Sequence, residues 1–202
     1  MRHFSELLQI AIERHGSLAA VEGQIPAIAS QDKLIARPGD RWLSEMTRHI
    51  FNAGFNRKTI RAKWPDFEAA FYGFDPHACA AMSETWFDQL LGDKRIIRNA
   101  LRIRAVQRNA VFLLKETEKH GNFGAFLSSW PATSFAELLR YLQANGDRLG
   151  DKTAQYFLRE AGVESYVLSF DVVKRLALEG VADGLPTSHK QRLAIQSAFD
   201  IW

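Results

Sequence analysis

The chain has 202 residues, of which 47% are hydrophobic and 24% charged, a composition typical of globular rather than disordered proteins. No hydrophobic run reaches the roughly 18 residues of a membrane span, so no membrane partner is expected. The net charge of +3 and the pI of about 9.1 are compatible with a polyanionic partner without identifying one.

A single cysteine, Cys79, excludes an internal disulfide and a metal site built from several cysteines. An intracellular, cytoplasmic location is therefore expected. Residues 2–15 are interrupted by charged side chains, which indicates an amphipathic helix and not a signal peptide.

Hydrophobic residues recur at helical spacing along most of the chain, whereas alternating β-branched runs are short. An all-α fold is therefore predicted. Capping-box spacing marks two helix starts, Ser134 with Glu137 and Ser188 with Gln191. Residues 23–40, with two prolines and two glycines, are predicted to be irregular. The predicted helices span residues 2–15, 17–22, 41–53, 56–63, 65–71, 76–81, 84–91, 95–119, 135–144 and 151–161, with further helix in 169–202.

Basic residues form three groups along the chain. The first group lies on a segment that also carries an apolar stripe, so a solvated helix face is its favoured interpretation. A shared cleft wall is the alternative interpretation, and the sequence leaves it open. The groups are Arg95, Arg98, Arg102, Arg104 and Arg108; Arg48, Arg57, Lys58, Arg61 and Lys63; and Arg148, Lys152, Lys174 and Arg175.

The stretch RLGDKTA, residues 148–154, is a tight glycine-containing turn that runs into a helix. Free backbone N–H groups at a helix N-terminus hold a phosphate without reading bases, and a lysine or threonine in the first turn assists. The same pattern also fits a plain interhelical loop. The candidate DNA-binding residues are Gly146, Arg148, Leu149, Gly150, Lys152 and Thr153.

Asp171 lies in the segment VLSFDVVKRL, 19 residues after Lys152 and just before Lys174 and Arg175. A carboxylate there is a candidate catalytic group, since it can stabilise an oxocarbenium ion or activate water during cleavage of a bond to a sugar. The alternative is that Asp171 caps a helix starting at residue 172, and the residues alone favour that cap.

Residues 53–110 carry a set of motifs at family spacing: AGF at 53–55, FDP at 74–76, AAM at 80–82, IIRN at 96–99 and RIRAVQRNA at 102–110. In these motifs the chain resembles the DNA-3-methyladenine glycosylase I family, within the helix–hairpin–helix DNA glycosylases. The resemblance covers residues 41–176, with the best match in 41–130 and the hairpin region in 135–176.

This resemblance implies a single all-α domain over residues 1–202, with two lobes and a central cleft that takes a flipped base. The implied reaction is hydrolysis of the N-glycosidic bond of an alkylated, 3-methyladenine-like purine in DNA. It also implies candidate base-pocket residues: His49 and Asn52 at the base edge, and Trp42, Phe55 and Trp64 as stacking groups. For each aromatic residue, a place in the core is the favoured alternative.

The chain departs from the family pattern at the pocket. His49 stands where the family has a base-recognising glutamate, and Arg57 stands where it has a stacking tryptophan. The family's zinc site uses two cysteines and two histidines near the termini. This chain has only Cys79, which is at neither terminus, so no metal is expected here, and no other cofactor is expected. Asp171 stands where the wider superfamily carries its catalytic aspartate.

A monomeric DNA glycosylase is therefore the leading hypothesis. A non-catalytic DNA-binding protein that kept the fold but lost the recognition glutamate is the rival, favoured by His49 and Arg57. A helical scaffold without nucleic acid is a third, weaker hypothesis.

Overall fold

The computed structural model describes the backbone of residues 1–202 and every side chain except that of residue 151. Helices are the only regular secondary structure in this range, which confirms the predicted all-α fold. None of the described helices combines the length and the hydropathy needed to cross a bilayer. The α-helices are α1 Phe4–His15, α2 Leu18–Glu22, α3 Gln31–Ala36, α4 Gly39–Asn52, α5 Arg57–Ala70, α6 Pro76–Ala80, α7 Glu84–Gly92, α8 Ala100–His120, α9 Phe123–Ser128, α10 Phe135–Asn145, α11 Asp151–Ala161, α12 Phe170–Leu178 and α13 His189–Ile201, with 3-10 turns at Tyr72–Phe74 and Ala132–Ser134.

The main core is built around α4 and the long helix α8. Buried apolar side chains of α4, such as Trp42 and Phe51, face buried residues of α8 such as Ile103 and Leu113. Helices α6 and α9 also pack on α8, and α11 packs on α4. Because α11 is the second helix of the predicted hairpin, this packing places the hairpin beside α4.

A second, smaller apolar cluster joins α12 and α13. Its buried members are Leu168, Leu176, Ile195 and Ala198. The division into two lobes stays a prediction.

Helix α5 runs without interruption across Pro65, where the sequence predicted a break between two helices. Proline removes one backbone hydrogen bond and costs about 3 kcal/mol in a helix interior. Burial of Ile60 and Phe67 on the two sides of Pro65 offsets this cost, since full burial of such a side chain contributes about 1.5–3 kcal/mol.

The segment predicted to be irregular contains α3, whose first turn is capped by Ser30. Helix α9 was not predicted and packs on α3 through Gly124. A Cβ at Gly124 would lie 2.0 Å from the Leu34 carbonyl oxygen, so only glycine permits this approach.

Of the two predicted capping boxes, the one at Ser188 and Gln191 is confirmed and the one at Ser134 is wrong. Residues 132–134 form a 3-10 turn that continues into α10, so the Ser134 hydroxyl makes no cap bond. The Gln196 side chain from α13 instead accepts from the Ala136 N–H at 3.1 Å.

The predicted helix over 95–119 begins later, at Ala100. Asp93 binds both the N–H and the guanidinium of Arg95, which holds this stretch outside the helix. Asn99 then caps α8 by accepting from the Arg102 N–H.

Candidate active-site cleft and DNA-binding hairpin

An open cleft of about 430 Å³ lies beside α4, on the side away from the core. Helix α4 is strongly amphipathic, with one face buried and another carrying polar residues into the cleft. Helices α5 and α11 supply the remaining walls. The lining residues are Arg37, Arg41, Ser44, Glu45, Arg48, Trp64, Glu68 and Glu160.

His49 lies behind the carboxylates of this cleft, with 2% of its side chain exposed. Its Nε2 is 3.1 Å from Glu45 Oε1 and 3.3 Å from Glu160 Oε2. The Arg48 guanidinium contacts the same two oxygens, at 3.4 Å for Glu160. Glu45 lies one turn before His49 on α4, whereas Glu160 comes from α11, so this network joins the two helices.

Hydrogen bonds within the network favour the charged forms of its titratable groups. Burial on its own would lower the pKa of His49, but hydrogen bonds to Glu160 and Glu45 outweigh burial, so the His49 pKa is raised. Burial opposes ionisation of Glu45, yet bonds from His49 and Arg48 keep the Glu45 pKa below its usual value. The hydrogen bond from His49 likewise lowers the pKa of Glu160, against a smaller effect of burial.

Glu45, His49 and Glu160 place three possible metal-ligand atoms within 4.8 Å of one another. A metal would need the neutral imidazole, whereas Nε2 here donates to the carboxylates. The Arg48 guanidinium already contacts both carboxylates and would repel a second cation. The group therefore fits an ion-pair network better than a cation site.

This chain also lacks the cysteine donors of the family's zinc site. Cys79 is fully buried and donates to the Phe71 carbonyl oxygen, and burial raises the pKa of its thiol to about 12. A thiol held in this way does not supply a thiolate ligand. The expectation of a metal-free protein stays a prediction.

A second ion pair, between Arg41 and Glu68, lies at the other end of the cleft. Glu68 accepts hydrogen bonds from both terminal nitrogens of Arg41, at 2.9 and 2.8 Å, and from the Ser44 hydroxyl and the Trp64 ring N–H. Trp64 is half-buried and stacks on Phe67 and Phe74. Of the predicted stacking residues, Trp64 is therefore the one that lines the cleft.

Arg57, at the start of α5, lies at the edge of the cleft beside α11. Its guanidinium carbon is 4.9 Å from the centre of the Tyr156 ring, and its Nη1 is 3.6 Å from Glu160 Oε1. Arg57 is 58% exposed, so these contacts are open to solvent.

The remaining predicted pocket residues lie outside the cleft lining. Trp42 is completely buried in the core against Phe123 and Phe157, which agrees with the alternative stated for it. Asn52 ends α4, and its buried Oδ1 has no hydrogen-bond partner among the described residues. Phe55 is exposed in the turn after α4.

The turn after α4 is held by Arg102 of α8, which donates to the carbonyls of Phe51 and Ala53 and lies 4.7 Å from the Phe55 ring centre. Burial, together with the charge of Arg148, lowers the pKa of Arg102. Arg102 therefore holds the Phe55 turn, while the like charge of Arg148 in the hairpin acts on Arg102.

The hairpin consists of α10, the turn 146–150 and α11. Leu149 is 1% exposed and anchors the turn, and a Cβ at Gly146 would lie 2.5 Å from the Leu149 Cδ1. Asn109 of α8 exchanges two hydrogen bonds with the Asp147 backbone, at 2.8 and 2.9 Å. These contacts fix the turn, while Gly150 faces open space.

Arg148 and Lys152 of the hairpin are exposed, and Arg108 of α8 reaches Asp147 at 2.9 Å from the adjoining surface. One member of the first predicted basic group, Arg108, therefore contacts the hairpin turn. The third group divides, because Lys174 and Arg175 lie on α12. The second group divides, because Arg48 and Arg57 lie at the cleft.

Asp171 is exposed in the first turn of α12. The alternative that Asp171 is the N-cap is wrong, because α12 begins at Phe170 and the Ser169 hydroxyl accepts from the Val172 N–H. Asp171 lines another groove, which we call the α1 groove, formed by α1, α12 and the end of α13. This groove shares no lining residue with the cleft.

Sequence reasoning did not identify Glu45, Glu68, Tyr156 or Glu160 as site residues. Glu45 carried a signal, because it lies four residues before His49 and therefore on the same helix face. Glu160 and Tyr156 carried none, because only the packing of α11 on α4 brings them to the cleft.

The helices and the charged cleft define an all-α protein with the fold of DNA glycosylases. The sequence model of the family described as methyladenine glycosylase matches residues 39–145. This chain therefore belongs to the methyladenine glycosylase family, a family of enzymes that hydrolyse N-glycosyl bonds in DNA.

Solved structures of 3-methyladenine DNA glycosylase I share the fold. The enzyme from Staphylococcus aureus is 24% identical, with a TM-score of 0.54, and the match covers 65% of this chain and 80% of that one. A tyrosine-to-phenylalanine variant of a 3-methyladenine DNA glycosylase I, solved in complex with 3-methyladenine, is 23% identical, also with a TM-score of 0.54, and the match covers 65% of this chain and 82% of that one. A further structure of the enzyme is 19% identical, with a TM-score of 0.57, over 73% and 88%.

Proposed function

We propose that this protein removes an alkylated, 3-methyladenine-like purine from DNA by hydrolysing its N-glycosidic bond in the cleft beside α4. The observation that carries the proposal is the ion-pair network around His49. His49 lies four residues before the Ala53-Gly54 motif, at the position where the resemblance implies base recognition. The network around His49 borders the cleft, which lies beside the hairpin. The non-catalytic alternative is not favoured, because the chain belongs to a family of glycosylases.

The cleft provides an open, charged site for a base that has left the helical stack. An alkylated purine that carries a positive charge is a good leaving group, so a pocket that selects it by shape and charge contributes much of the catalysis. Trp64 supplies an aromatic ring at the cleft wall, and Glu45 and Glu160 supply ionised carboxylates.

DNA is proposed to approach across the hairpin. The N–H groups in the first turn of α11 point outward, and Arg148 and Lys152 add positive charge beside them. Phe55, exposed in the turn after α4 and held by Arg102, offers an aromatic ring to the approaching DNA. The cleft and the hairpin belong to one chain, so we also propose that the protein acts as a monomer, in the cytoplasm.

Release of free base from methylated DNA tests the proposed activity. We expect the wild-type protein to release 3-methyladenine, measured by chromatography of the soluble fraction, and to release nothing from unmethylated DNA. Bound but uncleaved DNA across a panel of alkylated and deaminated substrates would instead support the non-catalytic alternative.

The hairpin is tested by Lys152→Ala and Gly150→Val. Lys152→Ala should weaken binding about equally for all DNA sequences and reduce the salt dependence by roughly one phosphate contact. Gly150→Val should weaken binding more, because its side chain would fill the space through which the DNA backbone approaches. A Cβ at Gly150 meets nothing within 4 Å in the free protein, so the loss of affinity should come without a loss of stability.

Lys190→Ala is the matched control, since Lys190 is also an exposed lysine in the first turn of a helix, α13. DNA affinity is measured by fluorescence anisotropy at several salt concentrations. Equal affinity of wild type, Lys152→Ala and Gly150→Val would reduce residues 146–150 to an interhelical loop.

A further inference from the structure

Arg57 makes an unusual pair of contacts at the edge of the cleft. Its planar, cationic guanidinium lies over the face of Tyr156 and also faces the carboxylate of Glu160. Tyr156 and Glu160 are four residues apart on α11, so they form one surface on one face of that helix. This surface holds a flat cation by stacking on one side and by charge on the other.

We propose that Tyr156 and Glu160 form the recognition surface for the positively charged base, and that Arg57 occupies this surface until the base displaces it. This inference rests on the proposed glycosylase function and names its specificity-determining residues. A purine alkylated on a ring nitrogen is also flat and cationic, so it satisfies the same two partners as the guanidinium.

The position of the surface on α11 favours this role. Lys152, Tyr156 and Glu160 are spaced by four residues and form a stripe along one face of the helix. At 1.5 Å per residue, Glu160 lies about 12 Å along the helix axis from Lys152. The stripe therefore leads from the phosphate-binding end of the hairpin to the cleft.

Charge balance explains why a cationic base is preferred. Around His49, the carboxylates of Glu45 and Glu160 face the positive charges of His49, Arg48 and Arg57. Departure of Arg57 removes the cation that faces Glu160 Oε1, and a cationic base takes its place beside that oxygen. A neutral base in the same place offers no charge to Glu160 Oε1 in exchange for the lost Arg57 contact.

Glu160 is the carboxylate of the cleft that is best placed to exchange partners. Its side chain is 37% exposed, compared with 19% for Glu45, and its Oε1 has one loose contact, the 3.6 Å contact with Arg57. Glu68, by contrast, is held by Arg41 through two short hydrogen bonds and by Ser44 and Trp64. Neither Glu45 nor Glu68 has an aromatic ring stacked with its cation as Tyr156 is with Arg57.

The experiment compares binding of a cationic and a neutral purine nucleoside, 1-methyladenosine and adenosine, by NMR titration of the full-length protein. In wild type, 1-methyladenosine should bind more tightly than adenosine. Glu160→Gln should reduce this preference by about tenfold, the range expected for a hydrogen bond to a charged group. Arg57→Ala should strengthen binding of 1-methyladenosine about threefold to fivefold, because the competing cation is gone.

Glu45→Gln is the control for damage to the ion-pair network. Glu45 contacts the same His49 and Arg48 as Glu160 does, but not Arg57. This variant removes the same charge at a site that Arg57 does not contact, so it should reduce the ratio less than Glu160→Gln does. A thermal melt of each variant verifies that it is folded.

Three outcomes would overturn the inference: an unchanged ratio in Glu160→Gln, an equal loss of ratio in Glu45→Gln, or weaker 1-methyladenosine binding in Arg57→Ala. Nucleoside binding needs no bond cleavage, so these results are separate from the base-release assay. Base release by a wild type that shows no preference for 1-methyladenosine would support the glycosylase activity and contradict the recognition surface. The expected preference without any base release would support the recognition surface and contradict the glycosylase activity.

Discussion

His49→Leu is expected to lower the free energy of unfolding by about 2–3 kcal/mol. Removing one partner of a buried ion pair costs about 3–5 kcal/mol, because the other charges remain without compensation. Glu160 is more than one-third exposed, so solvent screening weakens its ion pair with His49 and reduces the expected cost to about 2–3 kcal/mol. The variant loses the imidazolium, so Arg48 alone must compensate the two carboxylate oxygens that it shares with His49 in the wild type.

The deficit should depend on pH. The pKa of His49 is raised in the folded protein, so its stabilisation is fully present below the unfolded value, 6.5, and is lost as pH rises through the folded pKa. The pKa values of Glu45 and Glu160 are lowered, so their stabilisation is present above 4.5 and is lost as pH falls through their folded pKa values. The difference between wild type and His49→Leu should therefore be largest between about pH 4.5 and 6.5.

Denaturant unfolding at pH 5.5 and at pH 9 measures both the deficit and its pH dependence. His77→Leu is the matched control, since His77 is exposed on α6, and its effect should stay within about 0.5 kcal/mol. A His49→Leu deficit that is small, or equal at the two pH values, would mean that the charged network does not stabilise the fold.

The all-α fold was predictable because it follows from local patterns. Helical periodicity, a capping serine such as Ser188 and closing glycines each act within a few residues. The errors arose where distant packing decides. Pro65 stays inside α5 because its neighbours are buried, and α10 starts at residue 135 because Gln196, from the far end of the chain, binds its free N–H.

The site was only partly predictable for the same reason. Motif spacing pointed to His49 and Arg57, and the turn chemistry pointed to Gly150 and Lys152. Glu160, which contacts both His49 and Arg57, comes from another helix, and no local pattern in the sequence relates it to His49, more than 100 residues earlier. The sequence also could not decide whether Trp42 lies in the core or in a pocket, because a tryptophan has the same local sequence pattern in both places.

The departure at residue 49 becomes intelligible beside Glu45 and Glu160. A glutamate at position 49 would be a third carboxylate behind two others, and like charges at this spacing destabilise each other. Histidine at 49 instead compensates both carboxylates and keeps them ionised. Two ionised carboxylates are thus present at the cleft, each held by His49 and Arg48.

Asp171→Asn is the variant for which the catalytic proposal expects the largest loss of activity. If Asp171 stabilises positive charge that develops on the sugar, loss of its own charge should slow base release by on the order of a hundredfold or more. DNA affinity and the fold should be retained, because Ser169, and not Asp171, caps α12. A purely structural Asp171 contributes only a first-turn charge, so Asn and Ala would each cost less than about 1 kcal/mol of stability and leave release unchanged.

Asp171 can act in catalysis only if the bound DNA reaches both the cleft and the start of α12. Asp171 lines the α1 groove, whereas His49 and Glu160 belong to the cleft beside α4. A DNA strand held at the hairpin would have to pass the start of α12 for Asp171 to reach the sugar of a base seated in the cleft. Single-turnover base release by Asp171→Asn, compared with Lys174→Ala from the same groove, tests this directly. A hundredfold loss confined to Asp171→Asn would place the sugar beside α12, whereas wild-type release would remove Asp171 from the mechanism and leave the chemistry to the cleft.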